Sequence, residues 1–146
     1  MERVLNGRPV VAGSAEGVAV VSTQPISLWG GLDPQTGEII DRRHERSGEV
    51  ITGKVFVFPG GKGSSTASAV LLESIKLGTA PAAIITANVD SILALGAIVA
   101  EKLYHKTVPV VVLSREDHAT IRDEDYLIIK SDGTIRITAV RANENS

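Results

Sequence analysis

Cysteine is absent from this chain of 146 residues. A protein without cysteine forms no disulfide bonds, and it offers no thiolates for an iron–sulfur cluster or a cysteine-type zinc site. Histidine is scarce as well: His44, His105 and His118 are far apart, and no two of them have the H-x-x-x-H spacing of a helical metal site. We therefore expect this chain to bind no metal by itself, and any metal that takes part to be held by another chain.

Aromatic residues and net charge are also low. One Trp, two Tyr and two Phe leave few rings for stacking on bases, and a formal net charge of −2 provides no basic surface for nucleic acid. No apolar run approaches the roughly 20 residues of a membrane span. The N-terminus lacks the charged and apolar regions of a signal peptide. We expect a cytoplasmic protein with neither nucleic-acid nor membrane partners.

The chain does contain enough apolar residues for one compact core. Apolar residues make up 43% of the sequence and charged residues 22%, as in ordinary globular domains. Short β-like segments fill the first part, strands alternate with helices from residue 53, and residues 131–133 join two further β runs as a hairpin. Two helices can cover only one face of the resulting sheet, so the other strands must cover the second face. The pattern predicts a single three-layer β/β/α domain of the α/β class over residues 1–140, with a polar, disordered tail at 141–146.

Two helices and three buried strands make up the predicted centre of the domain. The first helix begins at a pair of serines and ends at Gly78, a typical C-terminal glycine. The second is capped by Asp90 or Ser91 and runs to about Tyr104. We expect the helices to pack side by side over central strands at 55–58, 82–86 and 110–113.

The most informative segment is the turn between the first of these strands and its helix, residues 59–66, which we call the glycine turn. Three of residues 60–63 are glycine, the fourth is Lys62, and Ser64 and Ser65 follow where the helix begins. Free N–H groups and the positive end of a helix make such a turn an anion site. It matches neither the P-loop pattern nor the nucleophile elbow. A plain alternative is a tight turn with a serine cap, but a cap needs only one hydroxyl and one glycine.

The sequence resembles the small subunit of aconitase X, the detached swivel domain of the aconitase superfamily, over about residues 5–115. The segments that carry this resemblance, in order, are 26–37, 40–44, 53–57, 61–64, 71–73, 80–84, 92–97 and 109–111. The resemblance implies a swivelling β/β/α domain within a heteromeric hydro-lyase. It also implies a large, cysteine-bearing partner subunit that holds iron or an iron–sulfur cluster.

The resemblance assigns roles within the glycine turn. Ser64 matches the serine that removes a proton from the carbon next to the substrate carboxylate, and Ser65, Lys62 and Gly63 would bind the substrate. An alkoxide at this serine would be stabilised by the helix N-terminus and by nearby backbone N–H groups. Aconitases follow the two serines with an arginine that holds a substrate carboxylate, whereas this chain has Thr66.

The charged run at 41–44 offers one source of that missing positive charge. Arg43 and His44 would face the substrate or the partner if the family pattern holds. The alternative is a solvated loop, which is the commoner fate of a charge run. We expect the remaining histidines, His105 and His118, to be solvent-exposed and assign them no role.

Two substrates are implied for the family, and other classes of function remain open. The substrates are cis-3-hydroxy-L-proline, which the stretch from residue 71 to 113 favours, and mevalonate 5-phosphate. A phosphohistidine carrier would need a histidine at the start of the first helix, and residues 59–77 contain none. A non-catalytic anion-binding or regulatory swivel module is the third possibility.

Overall fold

The computed structural model describes residues 2–61 and 66–138. The described strands are β1 (Glu2–Asn6), β2 (Arg8–Val11), β3 (Ala15–Val21), β4 (Leu32–Asp33), β5 (Glu38–Ile39), β6 (Val55–Val57), β7 (Ala83–Thr86), β8 (Val110–Val112), β9 (Tyr126–Ile129) and β10 (Thr134–Thr138). The described helices are α1 (Leu28–Gly31), α2 (Ala67–Leu77), α3 (Ser91–Tyr104) and α4 (Arg115–His118). The predicted tail at 141–146 lies outside the described residues.

Eight strands form one mixed sheet in the order β1-β10-β9-β3-β6-β7-β8-β2. Strands β3, β6, β7 and β8 run parallel, and the remaining pairs are antiparallel. The consecutive strands β1 and β2 lie at opposite ends of this order, so the sheet curls until it is nearly closed. At one end β1 pairs with β10, and Glu2 lies opposite Thr138.

Two apolar cores separate three layers, which confirms the predicted β/β/α fold. Phe56 and Ile84 point toward the helices and pack with Leu71 of α2 and Leu93 of α3. The residues next to them in β6 and β7 point to the other face of the sheet, because side chains alternate along a strand. They form a second core with residues of β9 and β10. Because both faces of β6 and β7 are covered, every residue of these two strands is buried. The prediction that these strands and β8 lie inside the sheet is confirmed.

Helices α2 and α3 pack side by side, as predicted. Gly96 permits the contact, because a Cβ atom there would lie 2.6 Å from the Ser68 carbonyl oxygen in the first turn of α2. Gly78 ends α2 in the left-handed conformation, and Asp90 caps α3. The close approach fixes the beginning of α2 against the middle of α3.

The segment at 25–31 contains a β-bridge at Ile26 and the short, distorted turn α1. Trp29 and Gly30 leave helical geometry within that turn. Among the described residues, no helix is both long and apolar enough to cross a bilayer.

Candidate functional site

The candidate site lies at the carboxyl edge of the four parallel strands. Ligands of open α/β sheets typically bind at this edge, because the loops that follow the strands meet there. A cavity of about 390 Å³ opens between the segments after β3, β6 and β7, and its lining includes Pro25, Pro59, Gly61, Asn88 and Asp90. The glycine turn begins in this lining.

The predicted base and three of its predicted helpers fall outside the described residues. Lys62, Gly63, Ser64 and Ser65 make up this part of the turn, so their roles stay predictions. The chain on either side of them is described, with Gly61 before and Thr66 after. The site is therefore described by the contacts that Gly61, Thr66 and their described neighbours make.

Side chains from two other segments, helix α4 and the loop between β7 and α3, hold the glycine turn at its start and at the residue just before it. His118 Nε2 lies 3.0 Å from the Phe58 carbonyl oxygen. The Pro59 carbonyl oxygen accepts from the Asn88 backbone N–H and side-chain amide, both at 3.3 Å. The Gly61 N–H donates to Asp90 Oδ2 at 2.7 Å. Each of these contacts joins residues far apart in sequence, so the turn is positioned by the topology of the sheet.

Two glycines of the turn are required for different reasons. Gly60 has φ +150°, a conformation that side-chain-bearing residues rarely adopt. Gly61 is required by space, since a Cβ atom there would lie 2.5 Å from Asp90 Oδ2. The sequence analysis attributed these glycines to a sharp turn. Gly61 also leaves room for the Asp90 carboxylate to reach the backbone.

The first turn of α2 begins beside the predicted serines. Thr66 already has helical angles (φ −69°, ψ −16°), and its carbonyl oxygen accepts from the Ala69 and Val70 N–H groups. The positive end of the α2 dipole therefore lies at Thr66, where the described chain resumes. A helix end of this kind can stabilise a negative charge that develops beside it.

His118 was predicted to be solvent-exposed, and that prediction is wrong. It lies at the end of α4, half-buried against the carboxyl edge, with its ring directed at the Phe58 carbonyl. Burial lowers the pKa of the imidazole. Hydrogen bonds to the Phe58 and Ile85 carbonyl oxygens raise it, but by less. Because a carbonyl only accepts, Nε2 carries the proton. No local sequence signal connects residue 118 to residue 58.

His44 of the charged run is buried and bonded on both sides of its ring. Nδ1 accepts from the Arg46 N–H at 3.0 Å, so Nε2 carries the proton and donates to Ser22 Oγ, also at 3.0 Å. Glu45 Oε2 accepts from Ser22 Oγ at 2.8 Å. That hydroxyl is the largest cause of the lowered pKa of Glu45, ahead of the Thr23 N–H. The network holds residues 22–24, and Pro25 of the cavity follows directly.

Arg43 is exposed, and its backbone N–H donates to Asp41 Oδ1 at 3.0 Å. The substrate-binding roles of Arg43 and His44 stay predictions. In the structure His44 bonds to Ser22 and does not line the cavity, whose lining includes Pro25, three residues after Ser22. Sequence reasoning identified Asp90 only as one of two candidate caps, beside Ser91, and missed its contact with the glycine turn.

Within residues 2–61 and 66–138, no group of three or more acidic or histidine side chains is arranged to hold a metal ion.

Comparisons with known proteins agree with this architecture. A family model described as "Aconitase X swivel domain" matches residues 4–137. The chain is 50% identical over 106 residues to a cis-3-hydroxy-L-proline dehydratase of Pseudomonas aeruginosa, covering 73% of this chain and 18% of that protein. It is 38% identical over 135 residues to the phosphomevalonate dehydratase small subunit of Methanosarcina acetivorans, covering 91% of this chain and 90% of that subunit.

A solved structure shows the same fold. The crystal structure of Thermococcus kodakaraensis aconitase X in its holo form superposes with a TM-score of 0.84 at 35% identity, covering 93% of this chain and 98% of that one. By contrast, the chain spans less than a fifth of the length of the Pseudomonas enzyme.

Proposed function

Because the chain belongs to the family of aconitase X swivel domains, we propose that it is the small subunit of a heteromeric hydro-lyase that dehydrates a small hydroxy acid. The observation that carries the proposal is the match over residues 4–137, which includes the whole glycine turn. Named dehydratases and dehydratase small subunits among its relatives support it. The matched region makes up 18% of the Pseudomonas relative, which supports the proposal that a large partner subunit supplies the rest of the catalytic apparatus.

We propose cis-3-hydroxy-L-proline as the substrate. The support is the 50% identity over 106 residues to the Pseudomonas dehydratase of that compound. Mevalonate 5-phosphate is the second candidate, favoured by a different observation. The Methanosarcina relative is itself a separate small subunit, and the two chains cover about nine-tenths of each other.

In the proposed reaction Ser64 is the base that removes the proton next to the substrate carboxylate. The positive end of α2 and the backbone N–H groups of the glycine turn would stabilise the alkoxide that this role requires. Ser65, Lys62 and Gly63 would bind the substrate. Arg43 would supply the charge that the family arginine provides at the position of Thr66, and His44 would support that loop from inside.

The residues of this chain do not fit an iron or iron–sulfur site. The sequence has no cysteine, and its described part has no clustered ligands. We propose that the cofactor lies on a cysteine-bearing large subunit, where a metal would polarise the leaving hydroxyl. The chain then contributes the glycine turn and closes the substrate cavity. We also propose that the assembly works in the cytoplasm.

Co-expression with a cysteine-bearing aconitase X large subunit of the same organism tests the proposal. The expected result is a stable complex that dehydrates cis-3-hydroxy-L-proline, whereas the isolated chain is inactive and contains no iron. Turnover of mevalonate 5-phosphate alone would select the second candidate. A complex that turns over neither compound but binds them would favour a non-catalytic anion-binding or regulatory module.

A further inference from the structure

We propose that Asp90 is a positioning residue: it holds Gly61, the last described residue before the predicted base, against the start of helix α3, and turnover depends on this contact. The inference rests on the proposed function, because it assigns Asp90 to that same site. Asp90 follows β7, lines the cavity and is half-buried.

The two carboxylate oxygens of Asp90 have separate partners. Oδ1 accepts from the Ile92 and Leu93 N–H groups, each at 3.1 Å, and so caps α3. Oδ2 accepts from the Gly61 N–H at 2.7 Å. A helix cap needs only one side-chain oxygen. The second oxygen therefore serves the glycine turn.

The contact between Asp90 and Gly61 is closely fitted on both sides. A Cβ atom at residue 61 would lie 2.5 Å from Oδ2, so the carboxylate occupies the space that any other residue would need. Hydrogen bonds to a charged acceptor are about twice as strong as neutral ones. Ile26 also forms a parallel bridge with Gly61. Gly61 is thereby held between two segments three residues before the predicted base.

Helix α3 provides a rigid reference for this contact. Its Gly96 packs against the first turn of α2, which forms the other flank of the glycine turn. The two described flanks of the turn therefore both contact helix α3 or its cap. Gly61 contacts Asp90, and the first turn of α2 packs against Gly96. A displacement of about 1 Å at a reacting group can cost around 100-fold in rate. Loss of the Asp90 contact is therefore expected to lower kcat.

Two substitutions separate the contact from the helix cap. Asp90→Asn keeps an oxygen for α3 but turns an amide group toward the Gly61 N–H, and Asp90→Ser keeps a cap that is too short to reach Gly61. In the reconstituted enzyme each should lower kcat about 100-fold, with KM and melting temperature close to wild type. The matched control is Asp132→Asn, at the opposite edge of the sheet, where Oδ1 accepts from the Thr134 N–H at 2.9 Å. This control should keep wild-type kcat.

A second measurement does not depend on activity. In the full chain, hydrogen exchange of the Gly61 amide should be about 10- to 100-fold faster in Asp90→Asn than in wild type. In addition, Gly61→Ala should lower kcat less in the Asp90→Ser background than alone, because the clashing oxygen has gone.

Unchanged Gly61 exchange, or wild-type kcat in both Asp90 variants, would overturn the inference. So would additive effects of Gly61→Ala and Asp90→Ser. An inactive wild-type complex would instead overturn the proposed function and, with it, the catalytic relevance of Asp90. The exchange measurement would then still decide whether the contact exists.

Discussion

The two edges of the parallel strands are held by different kinds of side chain. At the amino edge, neutral hydroxyls make the contacts: Thr79 Oγ1 donates to the Pro34 carbonyl at 2.7 Å, and Thr52 Oγ1 donates to the Thr79 carbonyl at 2.8 Å. At the carboxyl edge, the ionisable His118 and Asp90 join the neutral Asn88 in holding Phe58 and the start of the glycine turn. The amino edge should therefore be insensitive to pH and matter for stability alone, while the carboxyl edge couples structure to charge and to activity.

The largest expected effect comes from Ser64→Ala at the carboxyl edge. Removal of a general base typically lowers turnover by about 10²- to 10⁴-fold. Turnover of the reconstituted enzyme should fall by this amount, while partner affinity and melting temperature stay near wild type. Steady-state kinetics normalised to folded complex provide the measurement.

Ser65→Ala is the matched control for that substitution, because it removes a neighbouring hydroxyl with a proposed binding role. It should raise KM more than it lowers kcat. Equal turnover per folded molecule in Ser64→Ala and wild type would refute the assignment of Ser64 as base.

At the amino edge, Thr79→Val should act on stability alone. The substitution keeps the shape of a half-buried side chain but removes its hydrogen bond to the Pro34 carbonyl. The free energy of unfolding should fall by about 1 kcal/mol in a denaturant titration. Turnover per folded molecule should not change, and a clear loss of kcat would show that the two edges are not independent.

The smallest effect is a change in pH dependence at His118. Its pKa in the folded protein is lowered from 6.5, so below pH 6.5 the unfolded chain takes up the proton more readily. The free energy of unfolding should therefore fall as the pH drops through 6.5 toward the lowered pKa. His118→Gln keeps an N–H donor without a titrating ring, and denaturant titrations from pH 7.5 to 5.5 should give a shallower slope.

The matched comparison for this measurement is Thr79→Val, whose hydroxyl does not titrate in this range. It should keep the wild-type slope. A His118→Gln variant with the slope of wild type would contradict the burial of a neutral ring at this edge.

Local signals were enough to predict the scaffold of the site. The buried strands, the Gly78 end of α2 and the Asp90 cap of α3 depend on residues close together in sequence, where hydrophobic period and capping chemistry decide the structure. The contacts of the glycine turn could not be found this way. His118 meets Phe58 only because β6 and the segment after β8 end at the same edge.

The charged run at 41–44 also shows what local sequence signals cannot predict. Its composition suggested one surface that faces the substrate, but neighbouring side chains in a loop point in different directions. His44 turns inward to Ser22, whereas Arg43 stays exposed. The inward direction of His44 depends on its contacts with Ser22 and Gln24, which lie about 20 residues earlier in the chain.

The pairing of Glu2 with Thr138 has a consequence for how this domain can be joined to other chains. Because the first and last described strands are antiparallel neighbours, the polypeptide enters and leaves the domain at one place on its surface. A domain built this way can be attached to a larger protein through a single short linker at either end, or separated from it, without disturbing the glycine turn. The same geometry accommodates a relative that is a separate small subunit and another in which the matching region is less than a fifth of a long chain.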